Sequence, residues 1–243
     1  MKSVREKFLS ISEIKSVKNS KKIQLTILIL FIVNSLCFSQ IDTITRKPKP
    51  LFQQSAFPIT LVLYGSTISK TQGLPNDLKV RTYRNEHFPT FKTKIDDYLV
   101  FAPVAIAGIA KLSHVPSHSN TFQMAGLYAA SVLVSNVVIQ PMKYGFKRLR
   151  PDNSTRNSFP SGHTTMAFVG AEMVHQEFHN PWLSAAAYTT ATGVSAMRIL
   201  NNRHWFSDVV VGAGIGMLST KLTYLAYNRY QKKHRKVVVP TYF

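Results

Sequence analysis

At 243 residues, 45% of them apolar, the chain is long enough for one sizeable domain with a buried core, and its length gives no ground for two. A formal charge of +19 draws it to anionic surfaces, and charge alone does not separate nucleic acid, phospholipid headgroups and phosphorylated substrates. Cys37 is the single cysteine, which excludes an intrachain disulfide and a cysteine zinc cluster.

Residues 1–22 are polar and basic and end in Lys21-Lys22, and 23–38 then run almost unbroken as apolar residues. This is the pattern of a secretory signal peptide over 1–39, with cleavage before Gln40; an uncleaved anchor has nearly the same appearance. A lipid-bearing Cys37 would follow a small residue, whereas bulky Leu36 precedes it. Residues 40–96 carry Pro48, Pro50, Pro58, Pro75 and Pro89 among scattered lysines and arginines, which predicts an exported linker with turns and short elements. The apolar run 57–68 within it is short for a membrane span. From Asp97 the periodicity becomes helical, with helices predicted at about 97–112, 121–142, 163–179, 182–200 and 207–230, and breaks at Pro116, Pro151, Pro160 and Pro181. The expectation is an all-α helical bundle over 97–230 with a basic tail at 231–243. The 121–142 stretch is uncharged before Lys143 and long enough to cross a bilayer, while 97–112 is borderline; a soluble bundle that buries these helices is the alternative.

Three clusters carry chemistry. The first runs from Lys143 through Lys147, Arg148 and Arg150 to Pro151, and in isolation reads as a basic collar flanking a span. The second is Phe159-Pro160-Ser161-Gly162-His163 at a helix start. There, unpaired backbone N–H groups and the positive end of the macrodipole favour an anion, and Gly162 lets a phosphate approach the backbone. Ser161 is equally suited to be the N-cap. The third runs from Arg198 to Asp208. If the chain is helical from His204, Asp208 shares its face, fixes the tautomer of the imidazole and leaves the other nitrogen free to attack; the competing reading has Asp208 cap the next helix and His204 incidental.

Three look-alikes are set aside. His175 and His179 have metal-ligand spacing, but Glu177 is one place off H-E-x-x-H and they stand about 18 Å along the helix from His163; they read as end-of-helix polar residues. His114 and His118 straddle Pro116. Gly212, Gly214 and Gly216 imitate a dinucleotide loop, yet no strand precedes them, so they are expected to serve close helix packing.

Lys143 with Arg150-Pro151, then Pro160-Ser161-Gly162-His163, then Arg198 with His204 and Asp208, in that order and spacing, resemble the type 2 phosphatidic acid phosphatase superfamily. Its members include lipid phosphatases, soluble acid phosphatases and vanadium haloperoxidases. The resemblance covers about 97–230, and departs at Met197, where the pattern has serine before the arginine; Ser195 lies two residues further back. It implies a phosphatase acting on a phosphomonoester or pyrophosphate, on a membrane lipid, with no metal and no cofactor. Lys143, Arg150 and Arg198 would neutralise the phosphoryl oxygens, and Ser161 with the Gly162 amide would complete the cradle. His204 would form a phosphohistidine, oriented by Asp208, and His163 would protonate the leaving oxygen. A soluble-type acid phosphatase, a vanadate-dependent haloperoxidase and, from another class, a nonenzymatic basic membrane or nucleic-acid binding protein are the alternatives. The expected partners are a phosphorylated lipid and the membrane, not nucleic acid; oligomeric state is not legible. With 97–112 running inward, 121–142 returning and 57–68 not spanning, the clusters share the outer face. This predicts an inner (cell) membrane protein whose site faces the periplasm or exterior, with Arg229, Lys232, Lys233, Arg235 and Lys236 inside.

Overall fold

The computed structural model describes residues 51–68 and 76–234; the expected signal segment 1–39 and the end of the basic tail lie outside them. The described residues form helices and loops without strands, in the order α1 (Leu51–Ile68), α2 (Asp77–His87), α3 (Ile95–Leu99), α4 (Ala102–Leu112), α5 (Thr121–Phe146), α6 (Gly162–Phe178), α7 (Pro181–Leu200) and α8 (Phe206–His234). The all-α bundle expected from the periodicity is what forms. Helix α6 packs along α7 and α8, α5 lies on α8 and α6, and α1 lies on α8.

Local chemistry sets the helix ends. Asn120 and Gln123 make a reciprocal capping box at the start of α5, satisfying two otherwise orphaned donors. Helix α5 continues through Pro141 and stops only at Lys147, which adopts the left-handed conformation (φ 44, ψ 38). Lys143 therefore sits on the last turn of a helix and not in the loop after it. The Asn180 side chain caps α7 by accepting from the Trp182 and Leu183 amides, with Pro181 at the first helical position, where its missing N–H costs nothing. The single helix expected at 97–112 is two, α3 and α4, with a proline in the first turn of α4.

The region expected to be a linker contains α1, an 18-residue helix with Pro58 inside it. Packing overrides composition here. A Cβ on Gly65 would stand 2.7 Å from Val211 Cγ2, and one on Gly214 would stand 2.7 Å from the Pro58 carbonyl oxygen, so the two helices touch backbone to backbone. Gly65 meets the start of α8 and Pro58 a point further along it, so α1 runs antiparallel to α8. Gly212 and Gly216 instead press on α6, against Ser161 and Thr165. All three glycines thus serve close packing, as their apolar surroundings predict.

Helices α5 and α8 are long and apolar enough to cross a membrane; α4 is apolar but shorter. The far half of α6 carries two buried carboxylates. Glu172 accepts from Lys221 (2.7 Å) and Tyr188 (2.5 Å), and Glu177 from Ser119 (2.5 Å) and Tyr224 (2.7 Å). His175 shares a hydrogen bond with Ser184 Oγ at 3.1 Å, and His179 ends α6 in the left-handed conformation. Both histidines are part of this structural end of the bundle.

A Cβ on Gly216 would lie 2.5 Å from the Thr165 carbonyl oxygen and 3.0 Å from Phe168 Cβ, whereas one on Gly108 would meet nothing within 4 Å. Gly216→Ala is expected to destabilise the protein by about 1–3 kcal/mol through overpacking, read as a lower unfolding midpoint in detergent. Gly108→Ala, which meets no neighbour inside α4, is the control and should leave the midpoint unchanged or slightly raised. An unchanged midpoint for Gly216→Ala would show that α6 and α8 do not approach this closely.

Candidate active site

The three sequence clusters converge at one end of the bundle because four successive long helices alternate in direction. Lys143 closes α5 and Arg150 follows it, Ser161 to His163 open α6, Arg198 closes α7, and His204 to Asp208 lead into α8.

His204 is buried, with 3% of its surface exposed. Its Nδ1 lies 2.8 Å from the Ser158 carbonyl oxygen. A carbonyl only accepts, so Nδ1 carries the proton and Nε2 keeps its lone pair. Sequence reasoning gave this orienting contact to Asp208. The Asp208 Oδ2 stands 3.7 Å from Nδ1, beyond hydrogen-bonding reach. The reason is geometric: α8 begins at Phe206, so His204 precedes the helix and does not share a helical face with Asp208. Asp208 acts on the ring through charge and ties the surrounding loops together. Its Oδ1 accepts from Arg148 Nη1 at 2.8 Å, and its Oδ2 accepts from Ser158 Oγ and from the Trp205 amide at 2.9 Å. Its main-chain oxygen accepts from the Ser161 amide at 3.0 Å. Burial pushes the His204 imidazole down to about 4; Asp208 pulls it up, while Arg198 and Arg150 push it down further. The ring is neutral at ordinary pH, with a free Nε2.

The cations are held by neutral oxygens or by carboxylates. Lys143 Nζ donates to the main-chain oxygens of Asn157 (2.9 Å) and Pro160 (2.8 Å). Arg150 Nε donates to Asn157 Oδ1 at 3.0 Å, so Asn157 joins both. Arg198 is buried and donates from Nη1 to Asp96 Oδ2 at 2.7 Å and to Asp97 Oδ1 at 3.4 Å. Asp96 in turn accepts from Asn201 Nδ2 at 3.0 Å.

Ser161 occupies the N-cap position of α6, but its side chain makes no capping hydrogen bond. Four buried side-chain polar atoms among the described residues lack a partner, and two of them are Ser161 Oγ and Arg198 Nε. A buried donor left unmatched costs about 1–3 kcal/mol, so an acceptor arriving from outside would be welcome at both. A Cβ on Gly162 would meet nothing within 4 Å, which leaves open space before the first-turn amides of α6. His163 is half-buried, and its Nε2 lies 3.0 Å from Asp97 Oδ1.

Helix α2 braces the site from behind. Asp77 accepts from the Ser207 amide (2.8 Å), from Ser207 Oγ (2.7 Å) and from Arg148 Nη2. Arg84 Nε donates to the Leu200 carbonyl at 2.8 Å. The Trp205 indole lies 5.3 Å from each of the Arg81 and Arg148 guanidinium carbons. A small cavity bordered by Arg81, Arg84, Asn202, His204 and Trp205 lies on this side. None of the five residues expected to hold phosphate lines it. No group of three or more His, Cys, Asp or Glu able to hold a metal occurs among the described residues.

Residues 124–232 match the sequence model of the PAP2 superfamily. A lipid A 1-phosphatase from Porphyromonas gingivalis is 36% identical over 151 residues, covering 61% of this chain and 34% of the relative. The chain thus spans about a third of that relative's length. Among solved structures, LpxE from Aquifex aeolicus is 19% identical, with a TM-score of 0.45 over 61% of this chain and 94% of that one. The first transmembrane PAP2 type phosphatidylglycerolphosphate phosphatase from Bacillus subtilis is 18% identical, with a TM-score of 0.48 over 74% of this chain and 98% of that one.

The buried His204 should take up a proton only as pH falls toward 4, well below the ordinary 6.5. In a histidine-selective NMR titration, the signal that disappears in His204→Ala should therefore remain neutral through the range where exposed histidines titrate. A midpoint near 6.5 would mean that the ring is solvated and the described burial is wrong.

Proposed function

We propose that the protein, whose residues 124–232 match the sequence model of the PAP2 superfamily, is a phosphatase that hydrolyses a phosphomonoester or pyrophosphate on a membrane lipid, through a phosphohistidine intermediate. One observation carries this reading. Ser161 Oγ and Arg198 Nε are buried without partners, in the same cluster as a neutral His204 whose Nε2 is unprotonated. A phosphoryl group supplies acceptors to the first two and an electrophile to the third.

Lys143, Arg150 and Arg198 take the phosphoryl oxygens, with Ser161 Oγ and the Gly162 amide at the positive end of α6 completing the cradle. His204 Nε2 attacks phosphorus, and the bond from phosphorus to the leaving oxygen breaks with its electron pair. His163 hands that oxygen a proton. The now neutral His163 takes a proton from water as the water attacks, the P–N bond breaks, and phosphate leaves with His204 restored. Asp208 stabilises the His204 ring by charge as it becomes cationic. The similarity to a lipid A 1-phosphatase supports a phosphorylated lipid as the substrate class.

The surface favours acyl chains over water. The apolar window of α5 is only 28% buried, and it exposes Leu133, Val134, Val137 and Val138, a face a soluble bundle would cover. Exposed Phe122 and Tyr144 stand near its two ends, 22 residues apart and hence about 33 Å, close to the thickness of a bilayer core. The site shares its end of the bundle with Tyr98, Phe101, Tyr144 and Phe146, all exposed, as an aromatic belt at a membrane interface would be. We take this end to face the periplasm or exterior of the inner (cell) membrane, with the tail from 231 inside. The antiparallel course of α1 along α8 then puts the N-terminal end of α1 on the inner side too. On this reading the 97–230 phosphatase domain includes α1 and α2 as docked elements.

Reporters fused after Phe243 and inserted at Pro50 should both behave as cytoplasmic, and one inserted at Asn153 as exported. A cytoplasmic Asn153 reporter would reverse the orientation, and an exported Pro50 reporter would mean that α1 does not run across. For the chemistry, phosphate release should be found in a panel of phosphatidate, phosphatidylglycerol phosphate, polyprenyl pyrophosphate and lipid A phosphate. His204→Ala should abolish it on every substrate and leave no trappable phosphoenzyme. His163→Ala should lose about 10²- to 10⁴-fold on an alkyl phosphate, whose alkoxide needs a proton, and much less on nitrophenyl phosphate in single-turnover rates. A labelled phosphoenzyme in His204→Ala would place the nucleophile elsewhere.

A further inference from the structure

The His163 ring has a carboxylate partner that none of the three sequence clusters supplies. Asp97, in α3, places Oδ1 3.0 Å from His163 Nε2 and 3.4 Å from Arg198 Nη1, and it lies upstream of the segment 124–232 matched by the family. We propose that Asp97 is the positioning residue of the general acid, holding the Nε2–H of His163 so that Nδ1 is the atom presented to the leaving oxygen. This rests on the reading of His163 as the acid.

An ionised carboxylate only accepts, so with Asp97 ionised Nε2 carries a proton in both states of the ring. When the ring is cationic, Nδ1 carries the second proton, and that is the one free to leave. In the transfer, the Nδ1–H bond breaks and the proton goes to the leaving oxygen as its bond to phosphorus breaks. The ring is left as the neutral Nε2–H tautomer, still held by Asp97. Its Nδ1 lone pair is then placed to take a proton from the attacking water in the second half of the reaction. One unchanged contact serves both halves.

The charged groups facing His163 are Arg198 from α7 and Asp96 and Asp97 from α3. Arg198 and Asp96 are paired with each other, both buried, at 2.7 Å. That leaves Asp97, about half exposed, as the anion in contact with the ring. The segment that carries it is tied to Asn201, which bonds the Asp96 carboxylate and the main chain of Thr93, four residues before Asp97. Replacing the carboxylate by an amide keeps an acceptor of the same shape and removes the charge that favours the cationic ring.

The test compares wild type, Asp97→Asn, Asp97→Glu and His163→Ala by single-turnover rates on a long-chain alkyl phosphate and on nitrophenyl phosphate across pH. Asp97→Asn should slow the alkyl phosphate by about 10-fold or more, within the worth of general acid catalysis, and nitrophenyl phosphate less. It should also move the alkaline limb of the alkyl phosphate profile to lower pH. Asp97→Glu, which restores a carboxylate, should bring that limb back and recover part of the rate. Equal slowing on the two substrates, or an unmoved limb, overturns the proposal and leaves Asp97 as a partner of Arg198 only. If His163→Ala discriminates between the substrates and Asp97→Asn does not, this inference alone fails; if His163→Ala does not discriminate, the acid assignment fails first.

Discussion

The Asp208 carboxylate is the contact on which the site's geometry depends. It is fully buried, and its oxygens gather Arg148 and Ser158 from the loop after α5 and the Trp205 amide from the loop before α8. The carbonyl of the same residue receives the Ser161 amide, so the start of α6 is tied to the same point. A buried carboxylate is costly unless it is paired and hydrogen-bonded. Arg148 meets that need while also reaching Asp77, so a single guanidinium links two buried carboxylates and fastens α2 to the site. Removing either acid would leave Arg148 and the other acid mismatched, which is why α2 is as much a part of the site's support as the helices that carry the motifs.

The same economy of contacts explains how the cations remain available. Lys143 is steered by two backbone carbonyls, which orient the ammonium without neutralising it. Arg150 is steered by an amide oxygen. Arg198 alone is ion-paired, through one terminal nitrogen, and its Nε is left over. Preorganised donors of this kind need little rearrangement when charge develops on a ligand, which is where such sites gain most over water.

Much of the bundle could be read in the sequence, because long apolar helices leave direct marks, and the eight candidate residues were picked out there by residue type and fixed spacing. What could not be read has a physical reason in each case. The acceptor for His204 is a backbone carbonyl, and Ser158 offers no side-chain signal for it. Asp96 and Asp97 lie about a hundred residues from Arg198 and at the head of a five-residue helix, where an acidic pair reads as an ordinary helix start. Asp77 and Arg148 look like unrelated surface charges until α2 folds against the loop. Helix α1 is hidden by its proline-rich neighbourhood, and the close approach of Gly65 to Val211 and of Gly214 to Pro58 shows why it is a helix in the bundle. Asp208 stays within ion-pair range of His204 at 3.7 Å but does not hold its Nδ1 proton, because the helix begins two residues after the histidine, at Phe206.

The exposed aromatic residues at the site end carry a kinetic consequence on the proposed reading. A phosphate cradle level with a bilayer's headgroups meets its substrate by lateral diffusion in two dimensions. The concentration that governs encounter is then the mole fraction of the phosphorylated lipid in the surrounding leaflet. Diluting the membrane with inert lipid or detergent would slow the enzyme even at constant total substrate, while diluting the aqueous phase would not. Saturation measured in bulk molar units would consequently describe the micelle or vesicle preparation as much as it describes the protein.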